Sequence, residues 1–166
     1  MKDNKNPKSI AFEILSNNKN SFKVINHRTE IKKSINNSRF QWITTEEVIE
    51  IYEAIAKELN SVPLIIHTQL ISDALYYPIR DIIFYNSNQD IFARICNCVY
   101  YIGHTVNTCN VPLMVSLFVS LCRCNNIEMP DITIELYNIF DKAYSKVIHP
   151  DAFERMLHEL IITKKL

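Results

Sequence analysis

The chain has 166 residues, 18 basic and 18 acidic side chains, and one glycine, where an average content of about 7% would give on the order of a dozen glycines. The shortage excludes glycine-rich phosphate loops and dinucleotide fingerprints, and it argues against meanders whose tight turns need glycine at positive φ. The length suits one domain with a real core, and zero net charge gives no overall pull towards nucleic acid.

The zero hides an asymmetry. Residues 1–40 hold nine Lys/Arg and three Asp/Glu, whereas residues 41–166 hold nine and fifteen. A basic, partly helical arm over 1–40 is therefore expected to precede an acidic helical body over 41–166. Within the arm, Ile10, Ala11, Phe12, Ile14 and Leu15 form one apolar patch. The polar start, Met1 to Pro7, predicts no secretory leader.

The helical pattern sharpens at Trp42. Thr44 can cap a helix, and Glu47, three residues on, completes a capping box. Val48, Ile49, Ile51, Tyr52, Ile55, Ala56 and Leu59 then recur at helical spacing until Asn60-Ser-Val-Pro63. A short strand pair near 62–66 is the most β-structure expected. A second helix is expected over His67–Tyr76, before Pro78, and a Tyr/Asn-rich loop around Phe84–Asn88. A third helix runs from about Gln89 to Gly103, with Asp90 in its first turn, where negative charge suits the dipole.

Pro112 suits the first turn of a fourth helix that continues to about Cys124 and is apolar nearly all round, as a buried central element would be. Its apolar run is too short for a membrane span, which needs about 20 residues. A fifth helix follows Pro130-Asp131 to about Lys146, with Asp131 as cap. A sixth follows Pro150-Asp151 to about Thr163. The fold class is all-α, a compact bundle of about six helices.

Five cysteines in apolar surroundings point to buried thiols in a reducing cytosol rather than disulfides. Cys96/Cys98 and Cys122/Cys124 invite a zinc reading. Both pairs fall in helices, where residues two apart point to nearly opposite sides, so no metal site is assigned.

The candidate site is the loop Gly103-His104-Thr105-Val106-Asn107-Thr108-Cys109-Asn110-Val111-Pro112. A histidine there can serve as general base near neutral pH, and the start of the next helix offers free N–H groups to an anion. An ordinary structural turn is the competing reading, because Asn, Thr and Gly are common turn and cap residues. His27, His67, His149 and His158 lack partners at any recognisable spacing and read as surface or capping residues.

This loop resembles the motif of Fic and Doc proteins, His-x-Phe-x-(Asp/Glu)-(Gly/Ala)-Asn-(Gly/Lys)-Arg. Trp42 to Ile55 resembles the opening helix of Doc-like proteins, Gln69 to Leu75 their second helix, and Leu113 to Asn126 the helix after the motif. The likeness covers about residues 42–163, by helix order and spacing. It implies transfer of AMP, or in Doc proteins phosphate, to a protein hydroxyl. It places His104 as the catalytic general base and Asn110 and Asn107 as residues of the nucleotide-phosphate site. Val106 replaces the phenylalanine that anchors the loop.

Three departures count against ordinary activity. Thr108 stands where the family has the acidic magnesium ligand, and a hard cation wants carboxylate oxygen. Val111 stands where Gly or Lys contacts phosphate. Pro112 stands where arginine clamps phosphate, and proline also removes an N–H. Losing one such donor costs roughly 10²–10³ in rate. The inhibitory motif of some Fic proteins is matched only in part by Ser9-Ile-Ala-Phe-Glu13-Ile14, and its arginine target is Pro112 here.

The resemblance thus implies a degenerate module that binds or regulates, catalytically impaired and acting on a protein partner in the cytoplasm of its own or a host cell. No cofactor is expected. Nucleic acid and membrane are not the expected partners. The alternatives are an active AMP- or phosphotransferase using ATP with magnesium, and an unrelated helical interaction protein.

Overall fold

The computed structural model describes residues 42–65, 67–78, 91–128, 134–145 and 147–165. The basic arm with its Ser9–Glu13 motif and His27, the loop around Phe84–Asn88, the first-turn Asp90 and the cap expected at Asp131 lie outside them. Among the described residues the chain forms six helices: α1 Thr45–Glu58, α2 Thr68–Tyr76, α3 Ile91–Ile102, α4 Asn110–Cys124, α5 Ile134–Tyr144 and α6 Pro150–Lys165. The fold is all-α. The only β-pairing among these residues is an isolated antiparallel bridge, Ile65 to Val106.

The capping box forms as the spacing requires. Thr44 N–H donates to Glu47 Oε2 at 2.7 Å, and Glu47 N–H donates to Thr44 Oγ1 at 3.2 Å. These bonds satisfy donors that a helix start otherwise leaves unpaired. Val48, Ile51, Tyr52, Ile55 and Ala56 of α1 are buried. Just before the cap, Trp42 is buried and donates its indole N–H to Leu75 O at 2.9 Å, which ties the entry of α1 to the end of α2.

His67 is the N-cap of α2 rather than its first helical residue; its Nδ1 accepts from Gln69 N–H at 3.1 Å. His149 stands in the same relation to α6, with Asp151 N–H 3.4 Å from its Nδ1. His158 is exposed and sets its ring edge-on to Phe92 at 5.7 Å.

The expectation of a buried central helix is met. Every residue of α4 from Asn110 to Cys122 is buried. Around it pack α1, α3 and α5, while α3 also contacts α2 and α6, and α5 contacts α6. Phe118 of α4 joins the layers, its ring edge-to-face with Phe92 and Phe140 at 5.9 and 5.3 Å. Phe140 meets Phe153 of α6 in the same geometry at 5.2 Å. No helix among the described residues is long and apolar enough to cross a membrane.

The scarcity of glycine does not free the backbone from left-handed turns. Asn60, Cys109 and Asn126 take φ of 50°, 53° and 58°. Asn60 and Asn126 follow the ends of α1 and α4. Ser61 N–H reaches back to Ala56 O at 2.8 Å, and Ile127 N–H to Cys122 O at 2.9 Å. These six-to-one bonds are Schellman closures, in which asparagine replaces the usual glycine.

Candidate functional site

The loop between α3 and α4 begins with Gly103, which closes α3 by donating its N–H to Val99 O at 3.1 Å. Its φ is not positive, so the glycine is not a left-handed terminator. Space explains it. A β-carbon at Gly103 would overlap Met114 Sδ and stand 2.7 Å from Met114 Cγ. Met114 is fully buried in α4, so the glycine sets how closely α3 and the loop approach the central helix.

His104 follows, half-buried, with its ring beside those of Tyr100 and Tyr144, at centroid distances of 5.3 and 5.8 Å. Its Nδ1 lies 2.9 Å from Tyr100 O. A carbonyl only accepts, so Nδ1 carries the proton, and in the neutral ring Nε2 keeps a lone pair. Nε2 is closed to water and has no hydrogen-bond partner. Thr105, also buried, donates its hydroxyl to Ile102 O at 2.7 Å.

Val106 sits buried at the isolated bridge, and Asn107 N–H donates to Leu64 O at 2.8 Å. The loop is thereby stitched to the segment after α1. A second stitch runs through hydroxyls. Leu64 N–H donates to Tyr52 Oη at 2.8 Å, Tyr52 Oη lies 2.6 Å from Thr108 Oγ1, and Thr108 Oγ1 donates to Val62 O at 2.8 Å. Since Thr108 gives its proton to Val62, the Tyr52 hydroxyl donates to Thr108. The chain runs in one direction, an arrangement in which each bond polarises the next.

Cys109 is the left-handed N-cap of α4 and makes no side-chain cap bond. Asn110 opens the helix. Its side-chain amide donates to Gly103 O at 2.8 Å and to Val106 O, which brings the two ends of the 103–110 loop together. Pro112 occupies the third position of α4.

Among the residues assigned from sequence, His104 and Asn110 share this closed loop. The Asn110 amide faces the loop's own carbonyls, and the Asn107 side chain is exposed. Tyr52 joins the site only through the fold. Its place in the α1 core pattern gives no sign that its hydroxyl reaches 56 residues along the chain.

Cys96, Cys98 and Cys122 are buried, Cys109 is half-buried, and none of these four is in a disulfide. Burial pushes the Cys98 and Cys122 thiols far above their ordinary range. No group of three or more His, Cys, Asp or Glu that could hold a metal ion forms among the described residues.

The chain matches no family model, no curated protein and no solved structure.

Proposed function

We propose that the chain is a degenerate Fic/Doc-like module that acts by binding a protein partner and is impaired in group transfer. The observation that carries this reading is the occupation of the loop's polar groups by the fold. Asn110 is bound to the Gly103 and Val106 carbonyls, and Thr108 lies in the hydroxyl chain with Tyr52 and Val62. Residues 104–112 contain no carboxylate and no Lys or Arg, so they do not fit a magnesium nucleotide. Calorimetric titration with ATP and magnesium checks this. No heat of binding is expected at micromolar nucleotide, and magnesium-dependent micromolar affinity would overturn the reading.

A second reading, transfer of a group to a protein hydroxyl, is favoured by the tautomer of His104. Proton on Nδ1 and lone pair on Nε2 is the form a general base needs, and because Nε2 is closed to water here, this reading requires the ring to be uncovered when a target binds. Labelling a lysate with radiolabelled ATP, using the native chain beside His104→Ala, separates the two. A band that disappears with the histidine supports transfer, and identical lanes exclude it for ATP-derived groups.

A further inference from the structure

A cavity of about 360 Å³ opens between α2 and α3, floored at one end by His104 and Thr105 of the loop. A cavity of this size, mostly apolar with a few polar groups, is the usual form of a small-ligand site. Leu70 and Ala74 give it aliphatic walls, and Tyr77 and Tyr101 give it rings. Leu70, Tyr77 and Tyr101 are 46%, 57% and 50% exposed, so this apolar rim faces solvent.

The polar groups of the cavity are biased in one direction. Asp73 is a carboxylate held in place by Gln69, whose amide donates to Asp73 Oδ1 at 2.9 Å. The Thr105 hydroxyl already donates to Ile102 O and can only accept from a ligand. The His104 ring, with its Nδ1 proton on Tyr100 O and its Nε2 closed off, offers the cavity no free N–H. Tyr77 and Tyr101 add aromatic rings, whose faces are electron-rich. Asn97 is neutral, and among the described residues no Lys or Arg lines the cavity. In the adjoining hollow the Arg94 guanidinium is turned onto Pro78 O, and Asp151 and Glu154 line the same space. This described lining, with Asp73 as its charged group, disfavours anions, phosphate included, and favours a positively charged donor on an apolar stem.

We propose that this cavity binds an alkylammonium group, with its stem against Leu70 and Ala74 and its head held by the Asp73 carboxylate and the rings of Tyr77 and Tyr101. A lysine side chain of a protein and a free aliphatic amine both carry this group. The inference rests on the α2–α3 cavity and not on the loop reading, so a failed nucleotide experiment leaves it standing.

The test is a titration of the full chain, followed by amide chemical shifts, with n-pentylamine, 1-pentanol and pentanoate. Pentylamine is expected to shift amides of residues 70–77 and 97–105 with roughly millimolar affinity, which suits so small a ligand. Pentanol should bind about tenfold more weakly and pentanoate not at all. Asp73→Asn, close in shape to the native side chain, and Tyr101→Leu should each weaken pentylamine about three- to tenfold while the remaining amide pattern stays native. Nα-acetyl-lysine methylamide distinguishes the sources: tighter binding than pentylamine assigns a protein lysine, and weaker binding assigns a free amine. Equal affinity for amine and alcohol, or an Asp73→Asn variant that binds pentylamine undiminished, overturns the proposal. So does the absence of shifts around the cavity.

Discussion

A β-carbon on Gly103 would stand 2.7 Å from Cγ of Met114, closer than packed carbons approach. The two residues lie eleven positions apart on either side of the candidate loop, and their contact fixes its depth against α4. Gly103→Ala is therefore expected to lower stability by about 1–3 kcal/mol, the usual cost of overpacking a core. Met114→Ala, which removes the colliding atoms, should cost less in the Gly103→Ala background than alone. Urea denaturation of the four proteins in this cycle measures the coupling. A purely additive cycle would show that the close contact is not what requires glycine.

Asn110 offers a second check on how the loop is built. Asn110→Ala leaves the Gly103 and Val106 carbonyls without their shared donor and is expected to cost about 1–3 kcal/mol. Asn110→Asp should cost more, because its oxygens face two carbonyl oxygens and donate nothing. Thermal unfolding gives the ranking. An asparagine retained only to contact phosphate would leave the melting temperature unchanged when truncated.

The hydroxyl chain makes its own claim. Tyr52→Phe removes the link between Leu64 and Thr108 and is expected to cost about 1 kcal/mol. Thr108→Val should cost a similar amount. Because both substitutions break the same chain, the double variant is expected to lose less than the sum, with a coupling of about 0.5 kcal/mol or more. Hydrogen exchange at Leu64 and Asn107 locates the loss: both amides should exchange faster in either variant.

The buried thiols set an alkaline limit. Burial holds the Cys98 and Cys122 thiols well above the ordinary value of 9.0. The folded chain keeps them neutral where the unfolded chain ionises them, so they contribute stability fully below that ordinary value and lose it as pH rises past it. The unfolding free energy is expected to be flat near neutrality on this account. It should fall by roughly 1.4 kcal/mol per pH unit for each thiol above about pH 9. Urea midpoints between pH 7 and 10.5 check the slope, which Cys98→Ala and Cys122→Ala should each reduce.

Much of the fold is legible in the chain. The Thr44–Glu47 box, the periodic apolar face of α1 and the all-round apolarity of α4 each follow from residue spacing, because helix capping and amphipathicity act within a few positions. Asn60 and Asn125-Asn126 mark helix ends for the same local reason. Finer boundaries shift with side-chain bonding, as when His67 caps α2 from outside it.

The candidate site is legible only in outline. The sequence by itself determined that a histidine, two asparagines and a proline stand in one short stretch at the junction of two helices with no carboxylate or cation among them, since these are facts of composition and order. Only the tertiary structure decided what those groups do. It turned the Asn110 amide inward, joined Thr108 to Tyr52, and set His104 beside a cavity made by α2 and α3. It also changed the meaning of the single glycine, which is required by the bulk of Met114 and not by a left-handed turn. The physical reason is range: caps and turns are written in neighbouring residues, whereas hydrogen bonds and contacts across long separations exist only once the helices pack.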